Sequence, residues 1–230
     1  MTAPGFNHVE TWIFDLDNTL YPASCRLFDQ IDVRMGEFIS GLFQVDRTEA
    51  RRIQKDYFYK YGTTLRGLME EHRIDPDAFL DYVHDIDHSP VPTNPLLAAH
   101  LEALPGRKLV FTNGTVRHAE NVMHRIGVTH LFHGIFDIVH SDFIPKPSRG
   151  PYEKFIAEHQ VDPTRAAMFE DIARNLEVPA ALGMTTVLVH DDHNDDGAMI
   201  NKLNGDADGA PYVHHLTTDL AGFLGGIVKR

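Results

Sequence analysis

Four short apolar runs punctuate the chain, and each leads directly into polar residues. Trp12-Ile13-Phe14 runs into Asp15, Leu109-Val110-Phe111 into Thr112, and Ala166-Ala167-Met168-Phe169 into Glu170. The β-branched run 185–189 leads into His190. Short, wholly apolar runs suit strands buried on both faces. Between the second and third runs, Ala119, Val122, Met123 and Ile126 recur on one helical face, with Gly127 as the stop. Strands alternating with helices predict an α/β fold with a mainly parallel sheet. Ligands of such sheets gather at the carboxyl ends of the strands. Asp15, Thr112 and Asp171 are expected there together.

The stretch 23–94 has a different rhythm. Leu27, Ile31, Met35, Phe38, Ile39 and Leu42 recur at helical spacing. Asp46, with Glu49 three residues later, predicts the start of a second helix that stops near Gly62. Asp75-Pro76 marks a third start, an N-cap followed by proline in the first turn. Pro90, Pro92 and Pro95 mark the return linker. An all-helical insert therefore separates the first two core strands. Residues 217–228 predict one closing helix despite Gly222, Gly225 and Gly226.

Composition narrows the function. With 43% hydrophobic and 23% charged residues in 230, the chain is expected to fold as a soluble globular protein. A formal charge of −12 disfavours a nucleic-acid polymer as partner, because phosphate contacts need clustered Lys and Arg. It leaves room for a small phosphorylated substrate beside a cation. No apolar run approaches the roughly 18 residues of a membrane span, so no membrane partner is expected. Residues 1–10 lack the pattern of a signal peptide, and the single cysteine, Cys25, suggests a reducing compartment. A cytoplasmic location is the expectation. The 15 histidines show no metal-ligand spacing and read as ordinary surface or core residues, while 190–196 reads as a solvated acidic loop.

The candidate chemistry starts at Phe14-Asp15-Leu16-Asp17-Asn18-Thr19-Leu20. Two carboxylates at a strand end that curls into a loop can divide labour around one reacting group. One attacks phosphorus and the other protonates the leaving oxygen, splitting a hard hydrolysis into two easier steps. Alone, the same pattern also describes a surface turn. Three further signals follow in order: Thr112 with Asn113-Gly114, Lys146 between Pro145 and Pro147, and Glu170-Asp171 with Asn175 beyond. In this order the residues resemble the four motifs of the haloacid dehalogenase superfamily, and the likeness covers essentially the whole chain.

The resemblance implies a Rossmann-like three-layer α/β core with a parallel sheet, plus an inserted all-helical type-one cap. The core would comprise 1–22 and 95–230, and the cap 23–94. It implies Asp15 as nucleophile and metal ligand, and Asp17 as general acid and then base, with its backbone carbonyl on the metal. A general acid of this kind should have a pKa near working pH. Thr112, Asn113 and Gly114 would bind the phosphoryl oxygens, and Lys146 would neutralise charge shared by Asp15 and phosphate. Asp171 would complete direct coordination of Mg2+, with Glu170 reaching it through water. Asn175 stands where many relatives carry a second aspartate, so its place is a water-mediated one. The dehalogenases that name the superfamily lack an aspartate at the position of Asp17, so its presence points to phosphoryl transfer.

Leu20-Tyr21-Pro22 and the segment Tyr61-Gly62-Thr63-Thr64-Leu65-Arg66-Gly67-Leu68 look like the pyrimidine 5′-nucleotidase branch. Val83-His84-Asp85 and Arg117-His118-Ala119 also fit it. The implied reaction hydrolyses UMP or CMP to nucleoside and phosphate. Tyr61 would stack on the base, and Thr63, Thr64 and Arg66 would hydrogen-bond base or ribose; packing of the cap is the competing role for these four. The other readings are hydrolysis of a different small phosphoester, a phosphomutase, and a non-enzymatic module holding a phospho-aspartate. The sequence sets no oligomeric state.

Overall fold

The computed structural model describes residues 5–190 and 210–228. Among these, six parallel strands form one sheet in the order β3-β2-β1-β4-β5-β6. They are β1 (Thr11–Phe14), β2 (Arg107–Phe111), β3 (Gly134–Phe136), β4 (Ala166–Glu170), β5 (Thr185–Val189) and β6 (His215–Thr217). Each of the four runs read from the sequence is a strand. The order reverses direction between β1 and β4, and that switch point is where a doubly wound sheet opens a crevice for ligand. Asp15 follows β1 and Asp171 follows β4, so both stand at its mouth.

Alternate side chains of β1 serve opposite faces, as the pleat requires. Trp12 and Phe14 join an apolar cluster with Val110, Phe169 and Val187, covered by α5 (Pro95–Ala103), α6 (Val116–Ile126) and the closing helix (Leu220–Val228). Ile13 joins a second cluster with Leu109, Phe111 and Met168, covered by α7 (Arg149–His159) and α8 (Glu177–Ala181). This is a three-layer core. Burying both faces explains why each central strand carries a short apolar run without polar alternation.

Between β1 and β2 lie α1 (Leu27–Phe43), α2 (Arg47–Tyr61), α3 (Thr64–His72) and α4 (Pro76–Val83). They surround a third cluster that includes Ile31, Ile39, Leu68, Phe79 and Val83, with Ile138 joining from the core side. The helix ends follow local chemistry. Asp46 accepts from the Glu49 amide at the start of α2, and Asp75 caps α4 before Pro76. Gly62 (φ 87°) and Gly127 (φ 91°) take the positive φ that ends α2 and α6. The closing helix starts three residues later than the predicted 217–228: β6 takes residues 215–217, and the helix itself begins at Leu220. Of the acidic stretch 190–196, all but His190 lies outside the described residues. Among the described residues, no helix is long and apolar enough to cross a membrane.

Candidate active site

The strand ends deliver three buried carboxylates to one place. Asp15, Glu170 and Asp171 each offer an oxygen within 4.8 Å of the others. The Asp15 amide donates to the Phe169 carbonyl (2.9 Å), so sheet hydrogen bonding continues one residue past β1 and fixes the side chain at the strand tip. Lys146 arrives from a loop 131 residues away in sequence. Its Nζ donates to Asp15 Oδ1 (2.7 Å), Glu170 Oε2 (2.7 Å) and the Phe111 carbonyl (2.9 Å). Asn113 Oδ1 accepts from the Lys146 amide (3.0 Å), tying that loop to the end of β2.

The charges do not balance: three carboxylates face one ammonium. Burial, then the Glu170 charge, push Asp15 up to about 7 against the pull of Lys146. Burial, Glu170 and Asp15 together raise Asp171 well above the usual carboxylate range. For Lys146, burial favours loss of its proton, but Asp15 and Glu170 outweigh it and hold the ammonium protonated well above its ordinary value. The Asn175 side-chain oxygen is buried beside this cluster with no hydrogen-bond partner among the described residues. A divalent cation relieves both conditions, since it offsets the surplus charge and brings oxygen-seeking waters. The donor set fits magnesium. Glu170 stands in the carboxylate cluster itself, where its Oε2 also accepts from Lys146.

Thr112, at the end of β2, is buried and accepts from the Gly114 amide (2.9 Å). Thr112, Asn113, Gly114 and Lys146 all line the same cavity of about 180 Å³ as Asp15, Asp17 and Asp171. Asp17 is not one of the three clustered carboxylates. Its Oδ1 accepts from Tyr21 Oη (2.7 Å) and His118 Nε2 (2.8 Å). Burial alone would raise this carboxyl, but the His118 charge and hydrogen bond, with Tyr21, hold it below its ordinary value. The resting acid is therefore ionised, contrary to the expectation of a pKa near working pH. The reason is that both donors stabilise the carboxylate form.

The cavity continues from the strand ends into the helical insertion, where Phe28, Met35, Phe58, Phe79, Asp32 and Lys55 line it. Of the four insertion residues singled out from sequence, Thr63 and Thr64 line the cavity and Tyr61 and Arg66 do not. The Tyr61 hydroxyl donates to Glu71 and Arg66 pairs with Glu70, so both side chains are held on the flank of α3. Thr63 caps α3 by accepting from the Arg66 amide, and Thr64 donates to the Gln54 carbonyl. The bland reading of the histidines also needs correcting: His84, His88 and His118 gather beside Asp17. His84 stacks on His118 (centroids 4.6 Å apart, 14° between planes), and His88 Nε2 lies 3.3 Å from His118 Nδ1. Burial and the His118 charge push His84 down to about 3. No spacing rule finds this group, because its members lie on separate elements.

Comparison with known proteins agrees with this geometry. Residues 9–183 match the family of haloacid dehalogenase-like hydrolases. Phosphate metabolism protein 8 of Saccharomyces cerevisiae is 27% identical over 198 residues, an alignment covering 78% of this chain. The chain spans 61% of that relative's length. Among solved structures, L-2-haloacid dehalogenase from Xanthobacter autotrophicus superposes with a TM-score of 0.59 at 13% identity, covering 94% of this chain and 97% of that one. Magnesium-bound YfnB of Bacillus subtilis gives 0.59 at 12% identity, covering 96% and 99%. At such identities the structural likeness speaks for the fold.

Proposed function

Because the chain belongs to the haloacid dehalogenase-like hydrolase family, we propose that it is a magnesium-dependent phosphomonoesterase acting through a phosphorylated Asp15, with pyrimidine nucleoside monophosphates as substrates. The observation that carries this reading is Asp17, a second carboxylate on the cavity wall two residues past Asp15. A departing halide needs no proton, whereas a departing alkoxide does. That argument favours phosphate ester over haloacid, although dehalogenases share the fold.

In the first step a carboxylate oxygen of Asp15 bonds to phosphorus as the ester P–O bond breaks. The bonding pair passes to the leaving oxygen, which takes a proton from Asp17. In the second step water attacks the acyl phosphate and gives its proton to Asp17, and Asp15 departs as carboxylate. An arriving phosphate dianion favours the protonated form of Asp17 by adding negative charge beside it. Thr112 and the amides of Asn113 and Gly114 bind the phosphoryl oxygens, and Lys146 aims Asp15 and favours its ionised form against burial and Glu170. Asp15, the Asp17 carbonyl and Asp171 would hold the magnesium, with Glu170 and Asn175 around it. Bound there, the cation supplies charge that lets an anionic nucleophile approach an anionic substrate. The helical insertion, 23–94, serves as a cap over the cavity, whose apolar wall at Phe28 and Phe58 suits a base.

The test is phosphate release with magnesium across UMP, CMP, dUMP, AMP, sugar phosphates and phosphoglycolate. UMP and CMP should lead the panel, and EDTA should remove the activity until magnesium is restored. A better turnover of sugar phosphate or phosphoglycolate would refute the nucleotide assignment. Full activity in chelator would refute the metal role, and halide release from a 2-haloacid without phosphate release would refute the reaction class.

A further inference from the structure

We propose that His118 is a positioning residue that divides the two oxygens of Asp17 between two duties, one for anchoring and one for proton transfer. This rests on the phosphomonoesterase reading above. Among the described residues, both donors to the Asp17 carboxyl fall on the same atom, Oδ1: Tyr21 Oη at 2.7 Å and His118 Nε2 at 2.8 Å. An oxygen already accepting two hydrogen bonds is the poorer site for a proton. A proton taken up by this group therefore goes to Oδ2. As the ester P–O bond breaks, Oδ2 gives that proton to the leaving oxygen, and the negative charge left on Asp17 is met by the two donors on Oδ1.

His118 is built for this duty. A carboxylate only accepts, so Nε2 carries the hydrogen toward Asp17, while Nδ1 lies 3.3 Å from His88 Nε2. His84 stacks on one face of the ring at 4.6 Å. At Gly114, an added Cβ would sit 3.2 Å from His118 Cδ2, so the glycine leaves the space that the ring edge occupies. The side chain is fully buried on the same face of α6 as Val122 and Met123. Packing alone would be served there by leucine, without the cost of burying two ring nitrogens. His84 and His88 come from the end of α4 and the linker after it, while His118 belongs to the core, so the His118 ring is held from the insertion side as well.

The test uses the leaving group. Steady-state kcat/KM is measured with magnesium for UMP, whose ribose alkoxide leaves poorly, and for dinitrophenyl phosphate, whose phenolate leaves without a proton. Wild type, His118→Ala and His118→Gln are compared. A lost positioning group should lower His118→Ala about 100-fold on UMP and less than about threefold on dinitrophenyl phosphate. His118→Gln, which keeps an N–H donor, should recover at least about tenfold of the UMP loss. Equal losses on both substrates in either variant, or no loss on UMP, would overturn the proposal. Should His118→Ala fail to fold, the glutamine variant and its ratio between substrates decide the matter. A wild-type protein that releases phosphate from neither ester would instead sink the phosphomonoesterase reading, and this inference with it.

Discussion

Replacing Asp15 with asparagine should abolish turnover and, in the absence of metal, make the protein more stable. Burial and the neighbouring Glu170 charge push the Asp15 carboxyl up from 3.8 to about 7 even with Lys146 opposing them. Between pH 4 and pH 7 the folded chain therefore holds a proton that the unfolded chain has lost, and metal-free stability falls as pH rises through that window. Above about pH 7 the loss is complete. At 1.36 kcal/mol for each pH step, the ionised group costs the fold about 4 kcal/mol at pH 8 and about 2 kcal/mol at pH 5. Asparagine has nearly the same shape, keeps a carbonyl oxygen for Lys146, and is neutral at every pH. Urea unfolding in EDTA should show Asp15→Asn more stable than wild type by those amounts, the larger gap at pH 8. Adding magnesium should close the gap, because the cation binds the native wild-type carboxylates in preference to the variant. A variant less stable than wild type at pH 8 in EDTA, or a gap independent of pH, would refute the electrostatic account. Wild-type-like phosphate release by the variant would refute Asp15 as nucleophile.

Three other substitutions probe what surrounds the chemistry. Gly114→Ala places a methyl 3.2 Å from His118 and 3.3 Å from Thr112 Oγ1, so one of them must shift by a few tenths of an ångström. We expect kcat on UMP to fall about tenfold, with the urea midpoint nearly unchanged; an unchanged kcat would show that the approach is not needed. Thr63→Ala removes the cap of α3 and should cost about 1 kcal/mol of stability with little change in KM for UMP. Arg66→Ala removes only an i,i+4 pair worth about 0.5 kcal/mol; a large rise in KM from either would restore these residues as substrate contacts.

Much of the fold was legible because burial on both faces leaves a strong linear signature. β1, β2, β4 and β5 each contain a short apolar run, and the runs in β1, β2 and β4 end where the candidate chemistry begins. The ends of α2, α4 and α6 were legible too, since caps and positive-φ glycines act within a few residues. β3 and β6, with three residues each, were not, because so short a segment shows no period. The surroundings of Tyr61 were not legible for a different reason: the sequence left stacking on a base and packing of the cap side by side, and only the fold brings Glu71, on the next helix, to its hydroxyl.

By itself, the sequence determined the four longer strands, the helix boundaries that caps and glycines mark, and the candidate reacting groups, because these depend on residue type and near spacing. It named Asp15, Thr112, Lys146 and Asp171 as members of one site. Only the tertiary structure decided how those groups share charge and protons. Lys146 meets Asp15 across 131 residues, and His118 meets Asp17 across 101. Hydrogen bonds and fields act through a few ångströms of space, and packing alone sets which distant residues come within that reach.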